Sequence, residues 1–195
     1  MTVRKLFLSL CLALTLATVG FAMPATAQGA CIDFEPPPFP LGTLYGNPAG
    51  DVPGDFVFNA MGIDAYVQKI LYGGGGSGFN VAYIDNAPPW LGPTQSLRFN
   101  NIDMIFDFSN WGSLPTTVVF DYVDLGGIEN LSVNGSAVFI GDIWAAPAML
   151  GGVNVNVSQV AIPGGFTGRV KLSGNIKYFR VGGQEFWIDD LCGYP

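Results

Sequence analysis

The sequence predicts an all-β protein, a two-sheet antiparallel β-sandwich of the jelly-roll type. Three observations carry that expectation. Apolar and polar residues alternate with a period of two in many short runs, as strands with one dry and one wet face require. Glycine-rich and Asn-Gly punctuation separates those runs. The two cysteines left after the leader, Cys31 and Cys192, stand at opposite ends of the chain, each in a segment carrying acidic and aromatic residues. Strand number alone does not select a jelly roll. The cysteine placement does, because that topology makes the first and last strands neighbours.

Residues 1–27 read as a secretory signal peptide. Arg4 and Lys5 form a basic head, an apolar run follows from Leu6 to Val19, and Ala25-Thr26-Ala27 offers a small-x-small cleavage pattern. The apolar run is short of the ~20 residues that a spanning helix needs, and no later segment is long and apolar enough to cross a bilayer. Residues 28–195 then form a single β-sandwich domain in a secreted protein, extracellular or periplasmic. Cys11 departs with the leader, and the remaining pair, Cys31 and Cys192, is expected to be joined in an oxidising compartment.

The charge balance excludes several partner classes. Of the eight Lys and Arg, Arg4 and Lys5 lie in the leader, while all fifteen Asp and Glu follow it, so the remainder carries a net charge of −9. Nucleic acids and anionic lipid surfaces are repelled by such a domain. Cations, neutral glycans and basic proteins are not.

The strands are expected over residues 56–58, 63–72, 79–85, 96–99, 102–108, 116–124, 130–133, 137–140, 153–157, 166–172, 176–181 and 185–191. Val153, Val155 and Val157 alternate with Asn154, Asn156 and Ser158. Ile102, Met104, Phe106 and Phe108 alternate with Asp103, Ile105 and Asp107. Asn134-Gly135 signals a type I′ hairpin turn, which needs positive φ at both central residues, and Gly182-Gly183 is read as joining the last two strands in the same way. Glu35 to Pro40 is a stiff proline-rich connector. The glycine-rich run 73–78 reads as a mobile hairpin tip, and the only helical turn is expected near residues 145–150.

The acidic ends point to a hard cation. Calcium takes six to eight oxygen ligands, mostly carboxylates and carbonyls. Cys31-Ile32-Asp33-Phe34-Glu35 and Glu185-Phe186-Trp187-Ile188-Asp189-Asp190-Leu191-Cys192 would gather several carboxylates if paired as neighbouring strands. Asp33 and Glu35 share a face within a strand, whereas Asp189 and Asp190 point to opposite faces. Asp190 is the one assigned, with Asp33 and Glu35, to a structural calcium site. The same two end segments resemble the ends of MAM domains, extracellular jelly-roll modules, and are similar to those of calcium-stabilised jelly-roll carbohydrate-binding modules. The likeness covers roughly fifteen residues. It implies Asp33, Glu35 and Asp190 as cation ligands, a Cys31–Cys192 disulfide and a module that binds or adheres. The additional cysteines usual in MAM domains are absent here.

Trp90, Trp111 and Trp144 fall between strand patterns. Loop tryptophans either plug the ends of a sandwich or offer a rigid face for stacking on sugar rings, and all three are the candidate ligand-binding residues. Trp187, within a strand, is assigned to the structure. Enzyme constellations are sparse. The chain contains no histidine, which removes Ser-His-Asp and Cys-His nucleophile systems and most zinc sites. No catalytic residue is assigned. Only a two-carboxylate glycoside hydrolase stays open, through Asp103 with Asp107 or Asp121 with Asp124. The sequons at Asn130, Asn134 and Asn156 are read as a consequence of Asn-rich strands.

The expectation is therefore a secreted, non-catalytic binding or adhesion module, stabilised by calcium, with a glycan or an extracellular protein as partner. A structural matrix protein that self-associates through sheet edges is the alternative reading.

Overall fold

Alternation of dry and wet residues builds seventeen short strands among the described residues. The computed structural model describes residues 29–92 and 94–195; the leader expected over residues 1–27 lies outside the described residues. In chain order the strands are β1 (Ala30–Ile32), β2 (Leu44–Gly46), β3 (Phe56–Ala60), β4 (Ile63–Gln68), β5 (Ile70–Leu71), β6 (Ser77–Gly78), β7 (Val81–Asn86), β8 (Gln95–Asn100), β9 (Ile102–Asp107), β10 (Thr117–Asp124), β11 (Glu129–Val133), β12 (Phe139–Gly141), β13 (Met149–Leu150), β14 (Val153–Ile162), β15 (Gly165–Ser173), β16 (Tyr178–Gly183) and β17 (Phe186–Tyr194).

Nine strands form the larger sheet, in the order β13-β14-β15-β10-β17-β8-β7-β2, with β1 also paired to β17. Six form the smaller sheet, β12-β11-β16-β9-β4-β3, and β5 and β6 make a separate two-stranded arm. Neighbouring strands are antiparallel, and the first and last strands lie side by side, Cys31 opposite Cys192. The two sheets pack face to face, which is the sandwich that the periodicity predicts.

One apolar core fills the space between the sheets. Val118, Phe120 and Tyr122 of β10 and Phe186 and Ile188 of β17 face Met104 and Phe106 of β9 and Phe179 and Val181 of β16. Phe120 stacks on Phe179 across the gap, ring centroids 5.6 Å apart and planes 8° from parallel. Such pairs add about 0.5–1.5 kcal/mol beyond the area they bury. Among the described residues no helix is long and apolar enough to cross a membrane.

Four local expectations change. The run over 63–72 is interrupted after Gln68, and β5 turns away to form the arm with β6. The amide of Asn130 pins that arm, accepting from Leu71 N at 2.7 Å and donating to Leu71 O at 2.9 Å. The glycine-rich run is therefore the tip of an arm fastened at its base, with a 3-10 turn over Gly73–Gly75. The helical turn is a 3-10 turn at Ile143–Ala145, and Met149–Leu150 is a strand; Pro147 stops any helix from continuing between them. Gly182 and Gly183 are not a hairpin turn. They lie in β16, which belongs to the smaller sheet, and the chain crosses to the larger sheet through Gln184 and Glu185. Glycine is required there by close packing: a Cβ on Gly182 would stand 2.3 Å from the Ile102 carbonyl oxygen. Asn134-Gly135, by contrast, does form the positive-φ pair, at 51° and 76°, closed by Ser136 N to Val133 O at 2.9 Å.

Candidate functional site: the junction of the chain ends

β17 changes partner halfway along its length. Its first residues, Phe186 to Ile188, pair with Phe99, Arg98 and Leu97 of β8. Its last, Leu191 to Gly193, pair with Ile32, Cys31 and Ala30 of β1. Asp189 and Asp190 occupy the gap, and Asp190 takes a left-handed φ of 49°, an infrequent conformation for a side chain other than glycine. The Cys31–Cys192 disulfide, with a Cα separation of 4.0 Å, closes a sequence separation of 161 residues just beyond that gap.

The acidic segment after β1 fills the break between β1 and β8. Phe34 is wholly buried and packs on Phe39, ring centroids 5.4 Å apart. Its flanking acids are thereby turned outward. Glu35 reaches to the start of β8, where its two oxygens accept from Gln95 N at 2.6 Å and Gln95 Nε2 at 3.2 Å. The Gln95 backbone N–H is the main reason that the Glu35 carboxyl is held below its ordinary range. Asp33 Oδ1 accepts from Glu35 N at 3.1 Å.

Asp189 is 5 % exposed, and its Oδ1 accepts from Asp190 N at 2.8 Å. Burial pushes its carboxyl up to about 7, against the pull of that N–H, and the charges of Asp190, Glu35 and Asp33 push further in the same direction. All four end carboxylates therefore share one electrostatic neighbourhood. The sequence reading assigned Asp190 rather than Asp189. The structure exposes Asp190 and Asp33 and buries Asp189.

Two residues absent from the sequence reading stand here too. Continuing the β17–β8 ladder by one step places Ser96 opposite Asp189, beside Gln95. Ser96 is wholly buried and Gln95 is 9 % exposed, yet Ser96 Oγ and Gln95 Oε1 have no hydrogen-bond partner. Unpaired buried oxygens are costly. A neutral Gln-Ser pair at the start of a strand carries no signal in sequence; only the strand register shows its proximity to the acids. A cleft of about 510 Å³ opens beside this junction, lined in part by Asp33, Pro37, Pro38, Phe39 and Met61. Among the described residues, as the side chains are placed, no three acidic, cysteine or histidine groups stand together closely enough to hold a metal ion.

The loop tryptophans divide. Trp90 and Trp144 are 42 % and 46 % exposed. Trp111 is half-buried, meets Phe108 edge-on at 5.2 Å and lies over Gly193, where a Cβ would stand 2.6 Å from its ring; it closes one end of the core. Trp187 is buried beneath Arg98, whose guanidinium lies 4.5 Å from its ring centroid.

The carboxylate pairs weighed for glycoside hydrolysis are held apart. Asp103 and Asp107 lie four residues apart on one strand, ~13 Å along it, beyond the ~9.5 Å upper separation of a hydrolytic pair. Asp103 is buried and tied to Arg180 Nε at 2.6 Å, and Asp121 is bound by Arg169 through both of its oxygens. Asp121 and Asp124 point to opposite faces of β10. A different pair does come within each other's influence: Asp124, ending β10, and Glu129, opening β11, whose Oε2 accepts from Ile143 N at 3.3 Å while its Oε1 has no hydrogen-bond partner. Burial, with the Asp124 charge, pushes Glu129 up to about 8. Glu129 is wholly buried, and Asp124 is 5 % exposed. The nearby cleft of about 360 Å³, lined by Asn100, Asn101, Leu125, Gly126, Gly127, Gln184 and Glu185, includes neither carboxyl in its walls. Asp124 belongs to the larger sheet and Glu129 to the smaller. Of the three sequons, Asn130 is buried, Asn134 holds the hairpin turn, and only Asn156 is exposed.

No family model matches this chain, and neither a curated protein nor a solved structure matches it.

Proposed function

We propose that this chain is a secreted, non-catalytic binding module whose two ends are clamped by the disulfide and by a structural calcium ion. One observation carries the reading: Asp189 is buried within the influence of three further carboxylates, beside two oxygens, Ser96 Oγ and Gln95 Oε1, that lack partners. An all-oxygen donor set of this kind suits a hard cation. Asp33, Glu35 and Asp190 would hold the ion. Asp33 and Asp190 are exposed, with Asp189 behind them. The ion would neutralise charge that otherwise repels across the seam between β1, β8 and β17. The pairing of Glu35 with Gln95 already shapes one wall.

Calcium is expected to raise the melting temperature of the protein stripped with EDTA, and Asp189→Asn to remove most of that rise. Because Asp189 is held near pH 7, calcium binding at pH 6 should also expel protons, read by calorimetry in buffers of different ionisation enthalpy. A melting temperature indifferent to EDTA and calcium removes the cation from the reading.

Glycan is the proposed ligand class, with Trp90 and Trp144 as the stacking surfaces; the packing of Trp111 favours a structural role. Aromatic stacking contributes about 0.5–1.5 kcal/mol per contact. On a glycan array, Trp90→Ala or Trp144→Ala is expected to weaken retention about tenfold relative to Trp111→Phe. Retention of no sugar by the wild-type protein overturns the ligand class while leaving the calcium clamp to its own test.

A further inference from the structure

Four strands end the two sheets, and three of them are poor templates for another chain. β2 and β12 have three residues each, and β3 carries a bulge between Phe56 and Phe58. Short and bulged edges are the usual protection against edge-to-edge association. The fourth, β13, has only two residues, so the strand beneath it, β14, is left largely uncovered. β14 has ten residues, Val153 to Ile162, and not one is charged. β13 covers only its start, through Met149 with Asn154 and Leu150 with Val153.

The direction of the free groups follows from one bond. Val155 N donates to Ala148 O at 2.9 Å, so the N–H of residue 155 points away from β15. In an antiparallel strand alternate residues direct both N–H and C=O to the same side. Val157, Gln159 and Ala161 therefore present three donors and three acceptors along the open edge, where no described strand lies against them. Around the edge stand Val160, 66 % exposed, and Met149, 61 % exposed. The turn carrying exposed Trp144 packs beside the same strand.

We infer that the β14 edge is a docking surface for a second copy of this chain, joined antiparallel about a two-fold axis at Gln159. In that register Gln159 meets Gln159 of the second copy, and Val157 exchanges both main-chain bonds with Ala161. The larger sheet then continues across both molecules. The edge is uncharged along all ten residues, so two copies can meet there without like charges facing each other. The whole chain has a net charge of −7, and residues 28–195 carry −9, so copies repel one another over most of their surface. Among the described residues, β14 is the one long edge at which like charges do not meet. The pairing is isologous and closes on itself as a dimer.

Sedimentation of the disulfide-intact protein over a range of concentrations tests this. A monomer–dimer equilibrium is expected. It should tighten as salt rises, because screening relieves the repulsion between two acidic domains. Val160→Lys and Gln159→Pro are expected to weaken the dimer about tenfold or more. Both should leave the melting temperature nearly unchanged, since Val160 is exposed and the N–H of residue 159 points to solvent in the monomer. Gln159→Cys should give a covalent dimer on mild oxidation, whereas Lys171→Cys should not. A monomer at the highest soluble concentration overturns the inference, as does a dimer equally tight in Val160→Lys and Gln159→Pro. Binding of an unrelated strand in place of the second copy does so too.

Discussion

Removing the disulfide, as Cys31→Ser/Cys192→Ser, is expected to lower the unfolding free energy by up to about 5 kcal/mol. The size follows from the 161-residue separation that the bond closes. A free chain of that length samples far more conformations than a closed loop, and the difference is lost from the unfolded ensemble when the bond is present. For a domain whose total stability is of order 5–15 kcal/mol, that is a large share. The native register depends on it least at Phe186 to Ile188, which β8 and β10 hold from both sides. It depends on it most at β1, three residues long and paired to β17 alone. Chemical denaturation checks the effect: the urea midpoint of the double variant should fall well below that of the oxidised wild type. Coincident midpoints would show that the chain ends are held by the sheet without the covalent bond.

Acidification from pH 8 to pH 5, in EDTA so that no metal substitutes for a proton, is expected to stabilise the fold. Glu129 is pushed up to about 8, and Asp189 up to about 7, in each case chiefly by burial. In the unfolded chain both titrate near pH 4. Across that interval the native state keeps protons that the unfolded state has released, so lowering the pH favours the native state. The slope is about 1.4 kcal/mol per pH unit for each retained proton. The contribution is present below the unfolded-state value and disappears as pH rises through about 7 to 8. General relief of the negative net charge acts in the same direction, so Glu129→Gln separates the causes. An amide at residue 129 is neutral at every pH, as the buried acid is only below about pH 8. Denaturation of Glu129→Gln at several pH values should give a shallower loss of stability on the alkaline side than in the wild type. Parallel profiles would place the proton elsewhere.

Both expectations come from residues whose identity was plain in the sequence, but their partners were visible to different degrees. Cys31 and Cys192 could be matched because no other cysteine follows the expected leader. The alternation in β9 and β14, and the Asn134-Gly135 turn, were legible because one-residue periodicity and positive φ are local properties of the chain. The fold class rests on these. Gly182-Gly183 misled for the reason that made Asn134-Gly135 succeed: glycine permits both a turn and a close backbone approach, and only the crossing from one sheet to the other distinguishes them. The interruption after Gln68 was likewise hidden, because what draws β5 away is the Asn130 amide, 59 residues along the chain.

The candidate site shows the same division. The order of residues determined on its own that acids and a cysteine stand near each end of residues 28–195, that no histidine is present, and that these residues carry a net negative charge. Tertiary structure decided which acids matter. It buried Asp189, left Asp190 and Asp33 exposed, brought Gln95 and Ser96 against them, and set Asp124 near Glu129. Periodicity reports which face of a strand is dry, whereas burial of a charge depends on what the neighbouring strands place over it, and that is set by register between segments far apart in the chain.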